Sequence, residues 1–178
     1  MHHSIRGVLT AIVTPFTASG ELNLTALRQQ VERQLAAGNG IFCGGTNGEF
    51  FVLNEAEIAK SGVDAVSVIT PWFVPLKQDE LVSHYTAIAD ALSVPVFLYN
   101  IPARTGNTIE PQTARQLAAH GNIIGIKDSA GSYESLKGFL DAVKDIDGFN
   151  VLNGPDSLIH QGFVDGCSAC ISGLANVA

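Results

Sequence analysis

The stretch Ile123-Ile124-Gly125-Ile126-Lys127 is a short apolar run that ends in a lysine. A run without polar alternation is typical of a β-strand buried on both faces, as in a parallel sheet covered by helices. Six further runs are strand candidates, and several of them are also apolar throughout. They are Val8–Val13, Gly40–Cys43, Ala65–Thr70, Val94–Tyr99, Asn150–Leu152 and Ser168–Ser172.

Segments with helical periodicity separate these runs. The first has Asn23 as a predicted N-cap and ends before Gly38, a position where helix-terminating glycines occur. Its apolar stripe consists of Leu24, Leu27, Val31 and Leu35. Later helices are predicted over 78–92, from Pro111 to before Gly121, from Ser132, and after Asp156.

Strict alternation of strand and helix predicts a parallel α/β sheet with right-handed crossovers. An open doubly wound sheet would carry a Gly-rich phosphate turn at its first β-α junction, but residues 14–20 contain no G-x-G-x-x-G pattern. We therefore predict a (β/α)8 TIM barrel, forming a single domain over residues 1–178.

The predicted barrel is incomplete. Seven strands are recognisable in 178 residues, whereas a complete barrel takes about 250. The helix that begins near Asn54 is short and runs directly into a segment that reads like the end of another helix. We expect one β-α unit to be missing between Lys60 and Ser61, and helices to be missing after residue 178. Such an open barrel should expose strand edges and aggregate if the polypeptide has no more residues.

Composition excludes several classes of protein. The chain has 10 basic and 17 acidic residues, a net charge of −7, and so lacks the basic footprint of a nucleic-acid binder. No apolar run approaches the roughly 20 residues that span a bilayer, and no signal peptide opens the chain. We expect a cytoplasmic protein without a membrane partner. Three cysteines are too few for a disulfide framework, and Cys167 and Cys170 are expected to be plain buried residues.

Lys127 is the strongest candidate for chemistry. It closes a buried strand, and in a barrel the C-terminal strand ends face the active site. Burial lowers the pKa of a lysine, and a neutral amine can form a Schiff base with a ketone. The alternative is a strand-end lysine that reaches solvent or pairs with Asp128. Tyr99 ends the preceding strand and could relay protons, or it could simply cap the core.

Two loops could bind anions. Residues 44–49 (Gly-Gly-Thr-Asn-Gly-Glu) follow the second strand, and their backbone N–H groups with the Thr46 hydroxyl suit a carboxylate or phosphate, although such loops are often only turns. Arg104 lies in the loop after Tyr99 and could bind a substrate carboxylate, or be a solvated charge. The five histidines form no recognisable metal site.

These motifs, in this order, resemble the dihydrodipicolinate synthase / N-acetylneuraminate lyase family of Schiff-base pyruvate aldolases. Residues 45–49 are similar to its G-T-T-G-E or G-S-T-G-E loop, residues 99–102 (Tyr-Asn-Ile-Pro) to its Y-N-x-P motif, and residues 125–129 (Gly-Ile-Lys-Asp-Ser) to its G-x-K-[DE]-[ST] motif. Residues 153–156 (Asn-Gly-Pro-Asp) stand where the family has S-G-D-D. The resemblance covers essentially the whole chain.

The resemblance implies a class I aldolase that needs no metal or organic cofactor. Lys127 would condense with pyruvate, Tyr99 and Thr46 would serve proton relay, and the enamine would attack an aldehyde, or a 2-keto-4-hydroxy acid would be cleaved. The residues implied to bind substrate are Gly45, Asn47, Gly48, Arg104 and, through its backbone carbonyl, Ile171. Family members are usually dimers of dimers, so a homo-oligomer, most simply a homotetramer, is expected.

Two departures leave the aldehyde open. Residues 70–73 read Thr-Pro-Trp-Phe where synthases have T-P-Y-Y, and Phe73 cannot move a proton as the second tyrosine does across the dimer interface. Asn47 replaces a second threonine. In contrast, residues 104–106 (Arg-Thr-Gly) agree with the synthase pattern. The alternatives are a 2-keto-3-deoxy sugar-acid or neuraminate-type aldolase or dehydratase, an inactive keto-acid-binding relative, and an unrelated flavodoxin-type module.

Overall fold

The computed structural model describes residues 5–43 and 64–177. These residues fall into two compact units. The first unit consists of residues 5–6 and 64–169, and the second of residues 7–43 and 170–177. Residues 44–49, with the predicted anion loop, and the Lys60–Ser61 junction lie outside the described residues.

Strands and helices alternate as the sequence predicts. The strands are β1 (Gly7–Ala11), β2 (Gly40–Phe42), β3 (Val66–Ile69), β4 (Val96–Asn100), β5 (Ile123–Asp128), β6 (Asn150–Asn153) and β7 (Ala169–Ser172). The helices are α1 (Leu24–Ala36), α2 (Gln78–Ala91), α3 (Pro102–Thr105), α4 (Pro111–Leu117), α5 (Tyr133–Val143) and α6 (Ile159–Asp165). Short 3₁₀ turns cover Asp156–Leu158 and Leu174–Asn176.

All seven predicted strands belong to one sheet, in the order β2-β1-β7-β6-β5-β4-β3. The strand pairs with a recorded register, β1–β2 and β3 through β6, are parallel. The order is that of consecutive β-α units wound in one direction, which is the connectivity of a barrel rather than of a doubly wound sheet. The predicted fold class, an α/β barrel with seven recognisable strands, is therefore confirmed.

The core of the first unit lies between its strands and its helices. Leu81 and Tyr85 of α2 and Leu136 and Phe139 of α5 are almost fully buried against the outer side of the strands. These residues recur at helical spacing, so each helix presents one apolar stripe to the sheet. The predicted start of α5 is correct. Ser132 is its N-cap and accepts a hydrogen bond from the Ser135 N–H.

Gly125 allows β5 to lie close to both neighbouring strands. A Cβ at this position would overlap the Asn150 carbonyl oxygen of β6 and the Phe97 ring of β4. Position 125 therefore requires glycine because any side chain would clash with the neighbouring strands, and not because of its backbone conformation. The close approach fixes β5 at the point from which Lys127 projects two residues later.

The second unit corrects one detail of the sequence analysis. Asn23 caps α1, as predicted, by accepting the Ala26 N–H at 3.0 Å. However, Leu24 and Leu35 of the predicted apolar stripe are more than half exposed, and Gln34 is the buried residue of this helix. Gln34 takes that place because its amide accepts from the Thr10 hydroxyl at 2.8 Å and donates to the Ala175 carbonyl at 3.0 Å.

Within the described residues, none of the helices is long and apolar enough to cross a lipid bilayer.

Candidate active site

The C-terminal ends of the central strands bring the two main candidates together. In the parallel register Tyr99 of β4 is paired with Lys127 of β5, and Lys127 with Leu152 of β6. Paired residues of parallel strands project to the same face, so these side chains form one row across the sheet. The Lys127 Nζ lies 3.8 Å from the centroid of the Tyr99 ring.

Lys127 is buried, with 6% of its surface exposed. Burial lowers the pKa of its ammonium group from 10.5 to about 7, because the protein interior solvates the charged form poorly. A large fraction of Lys127 is therefore a neutral amine near pH 7 and can act as a nucleophile. The alternative of a lysine whose head group reaches solvent is wrong.

Tyr99 is also buried, with 9% of its surface exposed. Burial raises the pKa of its phenol, and a hydrogen bond with the Ser129 hydroxyl acts in the opposite direction. At neutral pH Tyr99 is therefore a phenol, able to donate a proton beside the Lys127 amine. Sequence analysis did not assign Ser129 to the site, although its position two residues after Lys127 on a strand end places it on the same face.

A second row of polar residues, on the opposite face of these strand ends, holds the site together. The Asn100 side chain donates to the Asp128 carboxylate at 2.8 Å and accepts the Ile109 N–H at 3.0 Å. The Asp128 carboxylate also accepts the Ala130 N–H at 3.2 Å. Burial raises the pKa of Asp128, and these hydrogen bonds oppose the rise. The row joins the ends of β4 and β5 to the loops that follow them.

The loop after β4 carries Arg104, which is exposed on the short helix α3. Gly106 ends this helix in the left-handed conformation, with φ 76°. The next residue, Asn107, holds the loop after β3: its amide donates to the Pro71 and Val74 carbonyls at 2.7 and 2.9 Å and accepts the Leu76 N–H at 2.7 Å. Sequence analysis missed Asn107, since a buried asparagine has no distinctive sequence signal.

Phe73 lies in the loop that Asn107 holds. Its side chain is 89% exposed, and its backbone is in the left-handed region with φ 78°. A left-handed conformation is costly for an aromatic residue and persists only where the surroundings impose it. Trp72 and Val74, on either side, are also mostly exposed.

Of the remaining predicted site residues, four lie outside the described residues and one lies in the second unit. Gly45, Thr46, Asn47 and Gly48 lie outside the described residues. Ile171 is buried on β7, in the second unit. Within residues 5–43 and 64–177, His, Cys, Asp and Glu side chains form no group of three that could bind a metal ion. Cys167 and Cys170 are buried, as predicted.

Comparison with known proteins places this arrangement in a family. The profile of the dihydrodipicolinate synthetase family matches residues 4–60 and 55–178. The chain belongs to the dihydrodipicolinate synthetase family. The predicted enzyme class, a carbon–carbon lyase of this Schiff-base pyruvate aldolase family, is thereby confirmed.

Individual members of the dihydrodipicolinate synthetase family match along almost the whole chain. A 4-hydroxy-tetrahydrodipicolinate synthase of Exiguobacterium sibiricum is 34% identical over 208 aligned positions, which cover 96% of this chain and 70% of the relative. The crystal structure of dihydrodipicolinate synthase from Thermotoga maritima matches with a TM-score of 0.90 at 28% identity, over 98% of this chain and 72% of that one. The chloride-inhibited synthase from Acinetobacter baumannii, solved in complex with pyruvate, matches with a TM-score of 0.89 at 30% identity, over 98% and 72%.

Proposed function

We propose that this chain condenses pyruvate with an aldehyde through a Schiff base on Lys127, in the manner of a dihydrodipicolinate synthase. The observation that carries the proposal is a buried lysine whose pKa is lowered to about 7 and whose amine lies 3.8 Å from the Tyr99 ring centroid. A structural homologue of this chain, the Acinetobacter baumannii synthase, was solved with pyruvate.

The proposed chemistry assigns separate roles to the two residues. The neutral Lys127 amine attacks the keto carbon of pyruvate, and loss of water leaves a protonated imine. Tyr99 donates a proton to the departing hydroxyl and then accepts one from the pyruvate methyl group, which produces an enamine. The enamine carbon adds to the aldehyde. Since the protonated imine itself withdraws electrons, this sequence requires no metal or organic cofactor.

The substrate carboxylates need their own binding groups. By resemblance, the loop of Gly45, Thr46, Asn47 and Gly48 holds the carboxylate of pyruvate, and the Ile171 carbonyl faces the substrate. Arg104 is proposed to bind a carboxylate of the second substrate, which its exposed position on α3 and five N–H donors support. An acidic aldehyde is therefore the proposed electrophile.

A second candidate reaction rests on Phe73. It stands where the resemblance leads one to expect a tyrosine that supplies a proton, and a phenyl ring has no proton to supply. A 2-keto-3-deoxy sugar-acid or neuraminate-type aldolase or dehydratase would use the same Lys127 chemistry on another electrophile. An inactive relative that only binds a keto acid would form the Schiff base without turnover.

A homo-oligomer is proposed on the basis of one surface. Trp72, Phe73 and Val74 are consecutive, apolar and more than half exposed, and Phe73 is held at φ 78°. Three adjacent exposed apolar side chains on a fixed loop are typical of a protein–protein contact. A second copy of this chain is the proposed partner. We propose a cytoplasmic location, since three cysteines in 178 residues are too few for the disulfide framework of a small secreted domain.

Borohydride trapping tests the proposed function. The protein is incubated with pyruvate, reduced, and its intact mass and tryptic peptides are recorded. We expect one pyruvate adduct on the peptide that contains Lys127, no adduct in Lys127→Met, and an unchanged adduct in Lys144→Ala, which removes an exposed lysine. Absence of an adduct on folded wild-type protein would overturn the proposal. Screening acidic aldehydes and sugar-derived aldehydes against the trapped form then separates the two candidate reactions.

A further inference from the structure

The position of Arg104, proposed above to bind the carboxylate of the second substrate, is set by its backbone. Arg104 lies on the one-turn helix α3, where the N–H groups of Arg104 and Thr105 both donate to the Ile101 carbonyl, at 3.0 and 3.2 Å. Among the residues that the structure describes, no hydrogen-bond or ion-pair partner of the Arg104 side chain is recorded. The place of the guanidinium therefore depends on what holds the backbone of α3.

The Thr105 side chain connects α3 to the end of β3. Its Oγ1 is buried and accepts a hydrogen bond from the hydroxyl of Thr70, which directly follows β3 and is fully buried, at 2.7 Å. The same Oγ1 accepts the Asn107 N–H at 3.3 Å, and its single proton lies within reach of the Asn107 carbonyl at 3.1 Å and the Ile101 carbonyl at 3.4 Å. Because that proton is directed to backbone carbonyls, Thr70 is the donor in the contact between the two hydroxyls.

Asn107 completes the connection between two loops. Its amide donates to the Pro71 and Val74 carbonyls at 2.7 and 2.9 Å, in the loop that Thr70 begins. Hydrogen bonds therefore join the loop after β3 to the loop after β4 at both of these points. Since Thr70, Thr105 and Asn107 are buried, water does not compete for these bonds, and the two loops keep one relative position.

We infer that Thr70 is a positioning residue for the second substrate: its hydroxyl, acting through Thr105, places the Arg104 guanidinium and so favours an aldehyde that carries a carboxylate. The inference rests on the proposed Schiff-base function and adds to it a residue that selects the electrophile without touching it. Lys127 lies on β5, two strands away from β3 in the sheet. Formation of the pyruvate imine should therefore not depend on the Thr70 hydroxyl.

Thr70→Val removes the hydrogen bond and keeps the shape of the side chain. A methyl carbon cannot donate, and its contact distance of about 3.5 Å exceeds the 2.7 Å that separates the two oxygens, so Thr105 and α3 must move away. Thr105 keeps its bonds to Asn107, so no buried polar group is left unpaired and the variant should fold. Thr70→Ser keeps the hydroxyl and is the conservative variant.

Borohydride trapping with two matched aldehydes separates substrate selection from Schiff-base formation. The pyruvate-loaded protein is mixed with succinic semialdehyde, which carries a carboxylate, or with butanal, in which a methyl group takes its place. The mass of the reduced Lys127 adduct is recorded at intervals, and its growth by one aldehyde gives a rate and a half-saturating concentration. The proteins are the wild type, Thr70→Val, Thr70→Ser and, as the exposed control, Thr108→Val.

We expect the half-saturating concentration of succinic semialdehyde to rise about fivefold in Thr70→Val and to stay at the wild-type value in Thr70→Ser and Thr108→Val. The response to butanal and the rate of the pyruvate adduct should be equal in all four proteins. Arg104→Ala should raise the value for succinic semialdehyde at least tenfold, and Thr70→Val should add nothing in that background, because Thr70 acts through Arg104.

Two results would overturn the inference while the proposed Schiff-base function stands. One is a wild-type half-saturating concentration in Thr70→Val. The other is an increase that persists in the Arg104→Ala background or applies equally to butanal, which would indicate a general structural role. A wild type that does not prefer succinic semialdehyde, or whose adduct grows with neither aldehyde, would overturn the proposed role of Arg104 and this inference with it. Absence of the pyruvate adduct on Lys127 would overturn the proposed function itself.

Discussion

The proposed reactivity of Lys127 depends on the burial of its amine and should be visible in the pH dependence of adduct formation. Its pKa is lowered from 10.5 to about 7, so the reactive neutral form increases as pH rises through 7. We expect the rate of pyruvate adduct formation to rise with pH and to reach half its maximum near pH 7, measured by quenching with borohydride at intervals. A midpoint near 10, the value for an exposed lysine, would contradict the burial argument.

The same lowered pKa predicts a cost in stability. Between the folded pKa of about 7 and the unfolded value of 10.5 the unfolded chain binds the extra proton, so stability rises with pH across this window and the penalty is complete below it. Lys127→Met should therefore increase the free energy of unfolding at neutral pH by about 3–4 kcal/mol and have little effect above the window. Urea denaturation at several pH values measures this, with Lys144→Met as the exposed control.

Asn107 stabilises the loop that follows β3 and carries Phe73. Its amide makes three hydrogen bonds to the backbone of the loop that carries Phe73, and all three disappear in Asn107→Ala. We expect a loss of about 2–3 kcal/mol in the free energy of unfolding, since buried backbone groups are left unpaired. Asn107→Asp keeps the acceptor for the Leu76 N–H and should lose less. Thr108→Ala, at the exposed neighbouring position, is the control and should change little.

At the scale of the element, β5 is the strand on which the site depends, because it presents Lys127 and ends at Asp128. Its position between β4 and β6 requires the absence of a side chain at Gly125, where a Cβ would overlap the Phe97 ring and the Asn150 carbonyl oxygen. A backbone oxygen in a sheet cannot move aside as a flexible side chain can. A methyl group at position 125 would therefore force the whole strand to shift.

Gly125→Ala should therefore affect stability and chemistry together. We expect a loss of more than about 3 kcal/mol in the free energy of unfolding and at least a tenfold slower adduct formation at Lys127. Gly121 lies two residues before β5 begins, and a Cβ added there meets no atom within 4 Å, so Gly121→Ala should leave both unchanged. Unfolding in urea and borohydride trapping provide the two measurements. Equal behaviour of the two alanine variants would show that β5 tolerates the added methyl group.

At the scale of the whole molecule, the order of the sheet and the length of the family alignment are both consistent with a missing segment. The sheet order ends at β2 on one side and at β3 on the other. The Exiguobacterium alignment spans 208 positions, but 96% of this 178-residue chain is only about 171 residues, which leaves about 37 positions without a counterpart. A β-α unit takes about 30 residues. We propose that one such unit is absent between Lys60 and Ser61.

Restoring that unit is the corresponding test. Insertion of the relative's segment of about 37 residues between Lys60 and Ser61 should stabilise the protein by several kcal/mol and suppress aggregation, since edge strands gain a partner. A glycine–serine insertion of equal length is the control, because it adds chain without strand propensity. Thermal unfolding and light scattering measure the effect. Equal stability of both insertions would contradict the proposed absence.

Local signals in the sequence are enough to predict the class of fold and the seven strands, and to single out Lys127 as the proposed Schiff-base lysine. These follow from local signals: apolar runs, helix periodicity, capping residues such as Asn23, and a lysine at the end of a buried strand. The exposure of Leu24 and Leu35 could not be predicted from apolar periodicity. Gln34 is buried in this helix instead, because its amide forms hydrogen bonds with three polar groups of its own unit.

The contacts that support the site arise from the packing of strands that are distant in sequence. Whether Lys127 is buried enough to lower its pKa, and whether Tyr99 lies beside it, depend on the register of β4, β5 and β6. The role of Asn107 depends on contacts with residues 31–36 positions away in the chain. A sequence pattern records the spacing of residues along one strand, whereas distances between side chains on different strands arise only when the sheet forms.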